Sequence, residues 1–145
     1  MSSTLAHPDA DRAQRRYKHP ARRWATWSYF GFNTLFILCV IVQVFFAGAA
    51  ILVSGSWINA HRALGSSLIL LPIVLLILSF AARLPVALKW LTLLLLGLVL
   101  IQPILIYAPR DSALPILSAL HPVNALALFT LPISVNIRVW YLLHS

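Results

Sequence analysis

Two histidines, His61 and His121, are the residues of this chain whose type and spacing bear most directly on chemistry. Each opens an apolar stretch of the same form. "HRALGSSLILLPIVLLI" aligns without gaps on "HPVNALALFTLPISVNI", placing His61 over His121, Pro72 over Pro132 and Ile73 over Ile133 at an offset of 60. Gln43, in "VIVQVFFAG", and Gln102, in "LVLIQPILIYA", precede their histidines by 18 and 19 residues. A neutral imidazole offers a nitrogen lone pair to a metal. Two imidazoles at equivalent places in a duplicated unit can face one metal from opposite sides, and haem b is the ligand that suits such a pair in a lipid-bounded bundle.

Gly65 and Ala125 lie four residues after the two histidines, which returns them to the same helix face. Their small size leaves room for something flat. Arg62 and Arg110 fall at the level where propionates would sit, available for carboxylate pairing. Gln43 or Gln102 either orients a ligand imidazole through its free ring N–H or faces a quinone headgroup. The expected cofactor-binding set is therefore His61, His121, Gln43, Gln102, Gly65, Ala125, Arg62 and Arg110, with His61 and His121 on the metal. Other readings stay open: histidines satisfied by backbone or water at a helix end, a quinone-reactive subunit of a membrane oxidoreductase, or a non-catalytic accessory protein without cofactor.

The elements that must position these residues are membrane helices. The chain has 145 residues, 61% hydrophobic and 10% charged, against roughly 25% charged residues in soluble domains. Four apolar segments, over about 29–53, 58–82, 86–108 and 116–143, each exceed the ~20 residues that cross a bilayer. The loops between them are short, so successive helices are antiparallel neighbours and the fold expected is an all-α four-helix transmembrane bundle over 24–145. Each half contributes two spans, so the duplicated hairpins share one sense and repeat about an axis along the membrane normal. The second and fourth helices then form one diagonal, the first and third the other.

The leader, residues 1–23, is polar and lacks an apolar period, which reads as a flexible basic cytoplasmic tail. It carries six of the eleven Lys and Arg residues; Arg83, Lys89 and Arg138 lie towards the same side, leaving only Arg62 and Arg110 on the other. By the positive-inside rule both termini are cytoplasmic and the histidines lie near the outer leaflet of the cell's inner (plasma) membrane. The net charge of +8 is then a topology signal and a match for anionic lipid headgroups, not a nucleic-acid surface. Ala47-Gly48-Ala49 resembles a signal cleavage site, but the apolar region before it is too long for one, so the segment is expected to remain a helix. Cys39 has no partner for a disulfide. The only acidic residues are Asp9, Asp11 and Asp111, all outside the spans, which excludes a carboxylate proton relay and a hydrolase triad.

"VQVFFAG", "HRALGSSL", "IQPIL" and "LHPVNALALF" together resemble an uncharacterised family of small bacterial four-helix membrane proteins, a domain of unknown function, over about Val42 to Leu131. That resemblance implies the fold and no activity. In architecture the chain is also similar to haem A synthase and the membrane b-type cytochromes, which use duplicated hairpins with facing histidines. It departs from them in having no histidine in the inner half of its spans, so the likeness does not imply electron transfer across the membrane by this chain alone. A quinone or a redox partner protein would complete its function.

Overall fold

The computed structural model describes residues 20–107 and 115–144. The helices are α1 (Pro20–Leu52), α2 (Trp57–Ser67), α3 (Leu70–Ala81), α4 (Val86–Tyr107) and α5 (Leu120–His144), with a short 3-10 turn over Pro115–Ala119 before α5. They make four candidate membrane spans, Pro20–Leu52, Trp57–Ala81, Val86–Tyr107 and Pro115–His144. The chain is a multi-pass membrane protein. In hydrocarbon every backbone polar group needs an internal partner, and long runs of Leu, Ile and Val satisfy this as helices. α1 packs against α5 on one side and α2–α3 on the other, while α4 closes the ring between α3 and α5. The second and fourth spans therefore lie across the ring from one another.

α1 begins at Pro20, inside the stretch expected to be tail; the rest of that tail lies outside the described residues. Proline suits the first helical turn because its missing N–H would have no intrahelical acceptor there. The second span is broken at Leu68–Ile69, and Pro72 is the cause. It cannot donate to the Leu68 carbonyl, which receives a 3.3 Å bond from the Leu71 N–H instead. Leu68 and Ile69 keep right-handed angles of 3-10 type (φ −59°, ψ −23° and φ −60°, ψ −28°), so one turn tightens and the span continues. Pro103 and Pro132 sit within unbroken helices.

The core is a single seam with one spacing. α1 buries Tyr29, Asn33, Phe36 and Val40; α4 buries Leu88, Thr92, Leu95 and Val99; the second span buries Leu68, Pro72, Leu75 and Ser79; α5 buries Leu128, Pro132, Val135 and Val139. Each set steps by four, three and four residues, the a/d pattern that packs antiparallel bundle helices at shallow angles. The opposite faces carry exposed Leu38, Val44, Ile77, Leu94 and Leu126. In water such a surface would drive association, whereas in a bilayer it meets its solvent.

The end of the bundle away from the histidines is fastened by polar and aromatic contacts. α3 ends in a Schellman turn: Leu84 N–H bonds the Ser79 carbonyl and Arg83 N–H the Phe80 carbonyl, each at 2.9 Å. Arg83 occupies the left-handed position with φ 49°, normally a glycine's place. Arg22 donates from Nε to the Ala82 carbonyl and from Nη2 to the Arg83 carbonyl, both at 2.9 Å, tying this turn to the start of α1. Trp27 packs edge-on against Trp140 and His144. Midway along the seam Tyr29 and Thr92 share a 2.6 Å hydroxyl bond. Asn33 donates to the Pro132 carbonyl at 2.8 Å and to Asn136 Oδ1 at 2.7 Å, joining α1 to α5.

Candidate functional site

At the other end, α1 stops at Leu52 and Ser54 and Ser56 turn the chain, their hydroxyls 2.9 Å apart. Trp57 then stacks on Phe46 with centroids 5.7 Å apart and meets Phe45 edge-on. These aromatic contacts pin the start of α2 to the end of α1, which fixes the height of His61 one turn further on. The 3-10 turn at Pro115–Ala119 delivers His121 to the second position of α5.

The two imidazoles meet across the ring. Their centroids are 6.3 Å apart with planes inclined at 62°. His61 Nδ1 lies 3.1 Å from the backbone carbonyl oxygen of Gln43, and His121 Nδ1 lies 3.2 Å from that of Gln102. A carbonyl only accepts, so both Nδ1 atoms carry the hydrogen, and in the neutral tautomer each ring has its lone pair on Nε2. No Nε2 hydrogen bond is made among the described residues. The separation and tilt are those of edge-to-face ring packing, whose centroids lie ~4.5–7 Å apart, although two rings in this tautomer have no N–H to give each other. Two imidazoles on one metal, each bonded at ~2.0–2.1 Å, have centroids at most about 6.4 Å apart, a limit that the 6.3 Å separation meets.

The glutamines are where the sequence placed them, yet they act through a different atom. Their backbone carbonyls, not their carboxamides, orient the imidazoles. The side chains are left over: Gln43 Oε1 and Gln102 Oε1 are both buried without a hydrogen-bond partner. Gly65 lies against this group, and a Cβ built on it would come within 2.6 Å of Gln43 Nε2. The room that small residues were expected to leave beside His61 is thus filled by the Gln43 carboxamide. Ala125 is half-buried on α5 and Arg62 is exposed. Arg110 lies outside the described residues. Among the described residues no group of three or more His, Cys, Asp or Glu side chains comes together, so a metal here would have two imidazoles as its ionisable protein ligands.

Asn124, near this site, donates to the Leu98 carbonyl at 2.8 Å and so joins α5 to α4 one turn from Gln102. Asn136 reads in the sequence as an interhelical hydrogen-bonding residue, which its bonds with Asn33 and Thr34 bear out; Asn33, its partner on α1, escaped the sequence reading. Its signal was present: Asn33 and Thr92 stand in the same relation as Gln43 and Gln102, 59 residues apart in the first and third spans.

No curated protein and no solved structure matches the chain. Residues 43–109 match the sequence model of a family of unknown function (DUF6220), a stretch of less than half the chain that begins at Gln43, passes through His61, Gly65 and Gln102, and ends before His121.

Proposed function

We propose that this chain is a one-haem membrane redox protein, in which His61 and His121 would hold the haem through their imidazoles near the outer leaflet. The observation that carries the reading is the pair of imidazoles with both Nδ1 atoms tied to backbone carbonyls and both Nε2 lone pairs unused, 6.3 Å apart by centroids. Fixing one ring nitrogen by a backbone acceptor is the usual way in which a protein orients a metal-binding imidazole and raises its basicity. Bound there, haem would take up and release one electron through its iron, for exchange with a quinone or a redox partner protein. The chain's own residues set the orientation of both imidazoles through the Gln43 and Gln102 carbonyls.

The same proposal includes a duplication of two helical hairpins. It is supported by buried positions that correspond at an offset of 60 between the second and fourth spans and of 59 between the first and third. A second reading, a quinone-reactive subunit, is favoured by one observation: the two buried, unpartnered carboxamide oxygens of Gln43 and Gln102 are acceptors that the hydroxyls of a quinol would satisfy.

The test is the visible spectrum of the detergent-purified protein, with haem supplied in excess during expression. A redox-dependent low-spin band pattern is expected, lost in His61→Ala and in His121→Ala and retained in His144→Ala. A wild type that neither carries nor takes up haem, or a double alanine variant that binds as much as wild type, would sink the haem reading. Quinone titration of wild type against Gln43→Ala would then separate a quinone site from a protein without cofactor.

A further inference from the structure

The Gln43 side chain presents a problem of its own. Its carboxamide is held inside the bundle with Oε1 buried and unpartnered, although a buried amide normally finds a partner and is destabilising when it does not. Orienting His61 is not its purpose, since the backbone carbonyl performs that task. What it does is occupy space: its Nε2 stands where the Cβ of any residue larger than glycine at position 65 would come. Gly65 is one helical turn below His61 on the same face, which is the surface a flat macrocycle ligated by His61 must cover. A single metal ion held by the two imidazoles needs less room than a macrocycle and does not have to cover that surface.

We propose that Gln43 is the residue that decides which ligand the histidine pair accepts, its carboxamide standing in the slot beside Gly65 so that a bare ion binds without rearrangement and a porphyrin binds only by displacing it. The inference rests on the histidine pair being a metal-ligand site and names the element of that site that sets its selectivity. The stand-in is weakly held, because its Oε1 makes no hydrogen bond that would be lost when it leaves. That makes the slot closed at rest and open to a ligand that binds well enough to take its place. Gln102 has the same unpartnered oxygen but faces a helix whose equivalent small residue is Ala125, so the two sides differ and Gln43 is the one with glycine opposite.

The experiment titrates the full-length apoprotein in detergent with haemin and, separately, with Cu2+, a strong binder of imidazole sites. Wild type, Gln43→Ala and Gln43→Leu are compared, and the His61→Ala/His121→Ala double variant defines binding elsewhere. Gln43→Ala keeps the backbone carbonyl that holds His61, so the ligand geometry survives the change. It is expected to bind haemin at least about fivefold more tightly than wild type, with Cu2+ affinity unchanged within twofold; Gln43→Leu, which refills the slot without polarity, should lose the haemin gain. If Gln43→Ala binds haemin no better than wild type while wild type shows histidine-dependent haem binding, the selectivity role is wrong and the haem site stands. Histidine-dependent haemin binding by Gln43→Ala alone would sustain the role and leave the bare ion as the wild-type ligand. The absence of such binding in both proteins would remove the haem reading and this inference together. Equal changes in haemin and Cu2+ affinity would also overturn it, since they would mean that the imidazoles themselves had moved.

Discussion

Gly65 and Gln43 form a contact whose energy can be measured without any ligand. A methyl group added at position 65 would meet Gln43 Nε2 at 2.6 Å, so the carboxamide must turn away to admit it. The colliding atom is the end of a flexible side chain, so the move is cheap but not free. Set against it is the better helix propensity of alanine, up to about 1 kcal/mol over glycine. Gly65→Ala alone should therefore change stability little, whereas in the Gln43→Ala background the full propensity gain should appear, a coupling of about 0.5–1.5 kcal/mol between neighbours. Thermal unfolding of the four proteins of this cycle in one detergent measures it, and strict additivity would mean that the two residues do not touch. Enlarging Gly65 to leucine goes further: with branched bulk in place of the carboxamide, haem content should fall while the protein still inserts. The residues at this site were legible in the sequence because histidine and glutamine stand out in an apolar run. Which atom of glutamine meets histidine was not, since a backbone carbonyl has no residue identity and every position offers one.

Among the elements, the α3–α4 turn concentrates the most local strain. Arg83 holds a left-handed φ of 49°, a conformation that costs a non-glycine residue roughly 1–2 kcal/mol, and no sequence signal marks it because glycine, the usual sign of such a turn, is absent. The turn persists because Arg22 fastens the Ala82 and Arg83 carbonyls and Leu84 is buried beneath it. Arg83→Gly keeps both carbonyls and relieves the strain, so after glycine's entropic cost it should stabilise the fold by up to about 1 kcal/mol. Arg22→Ala removes two charge-assisted bonds, one of them exposed, and should destabilise by about 1.5–3 kcal/mol in total. A higher midpoint for the first variant and a lower one for the second, in thermal unfolding, is the expected result; a drop in both would mean that the Arg83 side chain itself holds the turn. The later spans were readable from hydropathy, but α1 begins at Pro20, before its apolar segment, because polar residues outside the hydrocarbon continue a helix without adding to the apolar run. The break at Leu68–Ile69 was less readable: Pro72 announced a kink, but whether a proline interrupts a helix depends on whether its lost acceptor finds another donor, as Leu68 does here and a sequence does not say.

At the scale of the whole molecule the charge distribution predicts, by the positive-inside rule, that the histidine end faces away from the cytoplasm. Arg22, Arg23, Arg83, Lys89 and Arg138 lie towards the Trp27–Trp140 end of the ring, while among the described residues only Arg62 lies near His61. A bundle with four spans returns its C-terminus to the side from which it began, so α1 and α5 both present their tail-side ends there. The native Cys39, half-buried within α1, is the one cysteine of the chain and can be replaced to give a thiol-free background. In that background Ser56→Cys, in the exposed turn beside the histidine end, should react with a membrane-impermeant maleimide added to intact cells, whereas a cysteine in place of the exposed Arg83 should react only after the membrane is opened. The reverse pattern would put the histidine pair at the cytoplasmic face, and a haem held there would exchange electrons with cytoplasmic partners. Equal reaction of both sites in intact cells would mean dual insertion, which the short loops and the asymmetric tail charge argue against because they give one orientation most of the positive residues on the inner side.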